Sequence, residues 1–123
     1  MFATPERLRE AGVLFSIGNA DNEPAHERNL GHQAASAGAY GLPKGAALRS
    51  ITLSPAEIVG VEDELGSIEP GKAATLIVTT GSPLEITSET LVAFVDGRRI
   101  DLSDRQKQLV NKYREKYRQL GIE

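Results

Sequence analysis

Asp21, His26 and His32 are the side chains whose types and proximity raise the question of a metal. A hydrolytic metal centre needs three or more convergent donors and a bound water. The two histidines are all the histidine this chain has, and it has no Cys. His26 and His32 are separated by Glu27 to Gly31, across a loop-to-helix junction. That spacing is neither i, i+4 on a helix nor His-x-His on a strand, so both read as surface or loop groups. Asp21, in Gly18-Asn19-Ala20-Asp21, reads as a turn residue whose carboxylate bonds backbone amides. One carboxylate and two poorly spaced histidines do not make a hydrolytic centre. No catalytic residue and no bound cofactor are therefore expected of this chain by itself.

Other chemistries find less support. Gly66-Ser67-Ile68-Glu69-Pro70-Gly71-Lys72 superficially looks like a phosphate loop, but Ala73 stands where Ser or Thr must follow the Lys. It reads instead as a turn feeding a strand. The serines have no His–Asp partner order for a nucleophilic triad. A net charge of −3 gives no long-range pull toward nucleic acid. No apolar run approaches the ~20 residues that span a bilayer, and Met1 to Arg7 is not a signal peptide. Compartment stays open, because the absence of Cys fits any.

The elements that must position these groups can be read in order. Thr4-Pro5-Glu6 opens a short helix, with Thr4 as cap and Pro5 in the first turn, and Gly12 ends it. Val13 to Ile17 is apolar at nearly every position, as a strand covered on both faces must be. Leu30 to Tyr40 is an Ala-rich helix with Leu30, Ala34, Ala37 and Tyr40 along one face, closed by Gly41. Pro43 opens a helix through Leu48 and Ile51. Ser54-Pro55-Ala56-Glu57 reads as a capping box, with Gly60 as the stop. Leu76-Ile77-Val78 and Leu91 to Val95 read as strands, and Asp96-Gly97 as a two-residue hairpin turn into Arg98-Arg99-Ile100. Ser103-Asp104-Arg105-Gln106 reads as another capping box, with Ser103 as the cap, and opens a terminal helix. Its stripe is Leu109, Val110, Tyr113, Tyr117 and Leu120, and its other faces are basic. A solvated basic face on a packed helix is the expectation there, with no nucleic-acid and no membrane partner. The fold class is α/β, a mixed α+β chain, with residues 1–65 mainly helical and 66–123 β-rich with the terminal helix.

Taken in order, a set of short motifs resembles the C-terminal portion of amidohydrolase-superfamily enzymes, in particular the imidazolonepropionase-like branch. The matching pieces are Arg28-Asn29-Leu30, Ala39-Tyr40-Gly41-Leu42-Pro43, Ala47 to Ala56, Gly60-Val61, Gly66 to Lys72, Pro83-Leu84-Glu85 and Val95-Asp96-Gly97-Arg98. The resemblance runs from about Gly12 to the end. It implies a (β/α)8 barrel with a composite β-sandwich. Val13 to Ile17 would be the last barrel strand, and the strands near Leu76 and Phe94 would belong to the sandwich. It further implies that Asp21, the carboxylate after that strand, contacts metal or the metal-bound water. Zinc or a similar divalent metal is the cofactor of the full-length family. The His-x-His of the first strand, the bridging Lys and the later His ligands have no counterpart here. Thr75 and Ser82 also stand where relatives carry Asp.

Two functions from different classes follow. The first is the C-terminal segment of a metal-dependent amidohydrolase acting on C–N bonds of amides, inactive as this chain alone and partnered by the missing N-terminal portion. The second is a free-standing, non-catalytic module derived from that family. A chain that starts with Met and ends after an amphipathic helix, with unpaired strand edges, would then form a homo-oligomer. An unrelated α+β binding domain is the third and weakest.

Overall fold

Five helices and three strands are set out along the residues that the computed structural model describes, 3–19 and 28–122. Asp21 and His26 lie outside the described residues. Helix α1 is Thr4–Glu10, with Pro5 in its first turn as expected. Its N-cap is Ala3 and no side chain caps it, so Thr4 is the first helical residue and not the cap. Gly12 closes it. Helix α2, Leu30–Ala39, buries Ala34 and Ala37 but leaves Tyr40 exposed beyond its end. Gly41 takes a φ of 109°, a left-handed value that costs a side-chain-free residue little. This lets the Leu42 amide return to the Ala37 carbonyl at 3.1 Å and sends the Leu42 side chain into the core.

Helices α3 (Lys44–Arg49) and α4 (Leu53–Val59) follow, with α3 stopping short of Ile51. The core lies here. Ala34, Ala37, Leu42, Ala47 and Leu84 are buried together, and Phe15, Ile17 and Ile51 pack against them. Small side chains let α2 come close to its neighbours. A Cβ on Gly31 would lie 2.7 Å from the Pro83 carbonyl oxygen, so Gly31 is where α2 meets the segment that delivers Leu84.

The sheet is antiparallel, β1 (Leu76–Thr79), β2 (Thr90–Val95) and β3 (Arg98–Arg99), in the order β1-β2-β3. Leu76 faces Phe94 and Val78 faces Val92, while Ile77 faces Ala93. The β2–β3 turn is Asp96-Gly97, with φ of 49° and 75°, the two left-handed residues that a tight hairpin of this hand demands. Helix α5 is Arg105–Leu120 and buries no residue.

Val13 to Ile17 departs from the sequence expectation. The segment joins no sheet among the described residues, and its one ladder-like bond is Ile17 N–H to the Ser50 carbonyl at 3.0 Å. Phe15 and Ile17 reach the core, whereas Val13 and Leu14 are 48% and 50% exposed. A strand of a parallel sheet needs a parallel neighbour, and no other described segment supplies one.

Candidate functional site

The described residues nearest in sequence to Asp21 and His26 are the end of the Val13–Asn19 segment and the first turns of α2. The Gln33 side-chain amide donates to the Asn19 side-chain carbonyl, tying the two together. His32 sits beside Gln33 on α2 and is exposed, and its backbone carbonyl accepts from Ser36 Oγ at 2.9 Å. Among the described residues no group of three or more His, Asp or Glu side chains converges as a metal site would need. The donors that are described do not fit a hydrolytic metal centre, and no step through a metal is assigned to them.

The best-formed polar cluster joins α3 to α4. Arg49 Nη1 donates to Ser54 Oγ and to Glu57 Oε2, both at 2.8 Å, and Nη2 donates to Glu57 Oε1 at 2.6 Å. The paired fork fits a carboxylate in one plane. It holds the Glu57 carboxyl below its ordinary value, the guanidinium hydrogen bond being the main cause, and raises Arg49 in turn. Ser54 is buried and serves as Arg49's acceptor; the N-cap of α4 is Thr52, and no side chain caps the helix. The capping-box expectation at Ser54 and Glu57 is therefore replaced by an inter-helix clamp, for which both side chains are already used.

A second cluster explains Gly66 to Lys72. Lys72 turns inward and donates to the Glu62 carbonyl and, at 2.7 Å, to Ser67 Oγ, with Glu69 Oε1 at 3.4 Å. Ser67 Oγ donates to Glu69, which, with Lys72, lowers the Glu69 carboxyl. The ammonium that a phosphate loop would hold out is spent on closing its own loop. Glu62 Oε2 is buried with no partner among the described residues. The loop packs against α4 at Gly66, whose φ is 91°; a Cβ there would fall 2.8 Å from Ala56 Cβ and 2.9 Å from Leu53 Cα.

The other shifted groups are exposed ion pairs or turns. Glu6 is lowered by Arg9, Asp101 by Ser103 and Glu115 by Arg118. None pairs an acid with a base across a cavity as proton transfer requires. An open groove lies between Leu91, Arg99, Ile100, Leu102, Lys107 and Asn111, where the sheet meets the start of α5. Arg49 and Lys72 lie within short sequence motifs that single out neither. Arg49 and Glu57 are eight residues apart across two helices, a separation that no single-helix pattern can flag.

The comparisons with known proteins agree with one another. Residues 2–102 match the model of the amidohydrolase family. Over 84 residues, 68% of this chain, the sequence is 33% identical to the amidohydrolase tasK of Hapsidospora irregularis, of which it spans 9%. An amidohydrolase from Thermotoga maritima, solved as a crystal structure, superposes with a TM-score of 0.74 at 34% identity. That match covers 82% of this chain and 26% of the Thermotoga chain.

Proposed function

The chain belongs to the amidohydrolase family, and from that premise we propose that it is the C-terminal segment of a hydrolase acting on C–N bonds of amides, unable to turn over substrate by itself. The observation that carries this is the family match over residues 2–102 together with the spare donor set: two histidines, no Cys, and no convergent donor group among the described residues. The chain spans about a quarter of the Thermotoga protein and 9% of tasK, so the remaining donors are assigned to a missing N-terminal portion. There Asp21 is the carboxylate of this segment that reaches the metal or the water bound to it. Its support is its position directly after the Val13–Asn19 segment and the resemblance described above.

The test is turnover. The chain, incubated with zinc and a panel of cyclic and linear amides, is expected to show none. Chelator-sensitive hydrolysis by the chain alone would sink the proposal. Joined to the N-terminal portion of a related amidohydrolase, it is expected to gain activity. Asp21→Asn should then lower that activity by about 100-fold or more.

A second reading is supported by a different observation. One face of the small sheet and the apolar stripe of α5 are open, with Ile77, Leu91, Val95, Tyr113 and Leu120 exposed. A non-catalytic module that assembles with copies of itself would cover such surfaces.

A further inference from the structure

Helix α5 carries a charge that the rest of the chain opposes. Within Arg105–Leu120 six Lys and Arg stand against one Glu, a net of +5; elsewhere eight bases stand against sixteen acids, a net of −8. The helix buries no residue, and Val110, Tyr113, Tyr117 and Leu120 form an apolar stripe on it, each about half exposed. By helical spacing Lys112 and Lys116 flank that stripe on one side and Arg114 on the other. Among the described residues the ion pairs at α5 use Lys107 and Arg118 and none of these three bases, and Lys116 lies over the Tyr113 ring.

The complementary surface is on the body of the same chain. Ile58 and Val59, at the end of α4, and Ile68 in the following loop are 50%, 69% and 85% exposed. Asp63 and Glu64 are exposed between them. This segment is well fixed. The Val61 amide bonds the Ala56 carbonyl at 2.9 Å, the Ala73 amide bonds the Glu64 carbonyl at 2.9 Å, and Lys72 ties down Glu62 and Ser67. Exposed apolar side chains interspersed with acids here are the chemical complement of the apolar stripe and bases of α5, and matched potentials of this kind set partner and register.

We infer that α5 of one copy docks its Val110–Leu120 stripe on the 58–68 surface of a second copy, reciprocally, so that a two-fold dimer exchanges terminal helices. The inference deepens the self-assembling reading and is independent of whether the chain ever contributes to an active site. The occupant is a second copy because the acidic excess that matches α5 belongs to this chain, and among the described residues the apolar stripe of α5 stays about half exposed.

Charge reversal tests it. Sedimentation equilibrium of the wild-type chain at low ionic strength should show a dimer that weakens as salt is added. Lys112→Glu with Lys116→Glu should weaken association about tenfold or more, and so should Asp63→Lys with Glu64→Lys. Circular dichroism and thermal melting identify any variant that has lost its fold. An equimolar mixture of the two double variants should recover wild-type association, since each reversed helix then meets a reversed surface. Three outcomes overturn the inference: a wild-type chain that stays monomeric to about 100 µM, a dimer indifferent to both pairs of changes, or a mixture as weak as its parts. Amide turnover, or its lack, touches none of these readouts.

Discussion

Gly66 shows how much can rest on one missing methyl group. Its φ of 91° is unfavourable for any L side chain, and the space for a Cβ is already filled by Ala56 and Leu53. Gly66→Ala should cost about 2–4 kcal/mol from strain and overlap together, read from urea denaturation. Ser54 illustrates a residue of correct importance and different role. As a cap or as Arg49's acceptor, its loss costs about 1 kcal/mol either way. A double-mutant cycle separates the two: Ser54→Ala and Arg49→Gln should couple by about 0.5–1 kcal/mol if the clamp is right, and add independently if Ser54 caps α4. Glu57 adds a pH dependence. Its folded carboxyl lies below the ordinary 4.5, so the clamp's contribution is complete above that value and is lost as pH falls through the lower folded one. Glu57→Gln should flatten the stability profile across that acidic window, measured by thermal melting at a series of pH values. Thr75 and Ser82 also have places here. Thr75 Oγ1 accepts from the Asp96 amide at 3.1 Å, and Ser82 Oγ from the Leu84 amide at 3.3 Å. An acceptor oxygen is what both turns use, and a hydroxyl supplies one.

Among the elements, turns and stops were the legible part and caps the elusive part. Gly12, Gly41 and Gly60 end α1, α2 and α4 as read, and Asp96-Gly97 is the hairpin turn, because left-handed backbone leaves few residue choices. Each expected cap shifted. Thr4 lies inside α1, Ser54 lies inside α4, and α5 is capped by Asp104, not by Ser103. Runs such as Ser-Asp hold two eligible acceptors, and only the backbone decides which takes the extended conformation. Asp104 does, with ψ of 167°, and its carboxylate accepts from the Lys107 amide at 2.8 Å. Ser103 instead donates to Asp101 Oδ2 at 2.7 Å. Asp104→Ala should therefore destabilise α5 by about 0.5–2 kcal/mol, while Ser103→Ala leaves it nearly unchanged. Helical ellipticity of the two variants decides between the positions. Val13 to Ile17 joins no sheet among the described residues, and the reason is different. Apolar content tells that a segment is to be covered but says nothing of whether the covering strands are in the same chain.

At the scale of the molecule, the apolar residues fall into two populations that the sequence cannot distinguish. Ala34, Ala37, Leu42, Ala47 and Leu84 form a core within the chain, and Leu84 brings the segment that precedes β2 onto the helices. Ile77, Leu91 and Val95 are as apolar yet more than half exposed, on a sheet of three strands that is apolar on both faces. A sheet with one free side normally alternates apolar and polar residues; one that does not is patterned for cover on both sides. That pattern agrees with a chain that spans about a quarter of a related hydrolase. The same pattern also leaves the candidate site half-legible: the matching motifs are structural turns and packing residues, and no convergent donor group is found among the described residues. The two populations should respond oppositely to truncation. Leu84→Ala should cost the isolated chain about 2–5 kcal/mol, because it opens a cavity at the junction of α2, α3 and the 83–85 segment. Ile77→Ala should change it by about 0.5 kcal/mol or less, as for any exposed position. Joined to the N-terminal portion of a related amidohydrolase, the same Ile77→Ala substitution should become costly by about 1–3 kcal/mol, since the side chain then has neighbours to lose. Equal costs for Ile77→Ala in the two settings, measured by denaturant titration, would mean that the sheet remains open in the larger assembly and that its apolar faces are patterned for some other cover.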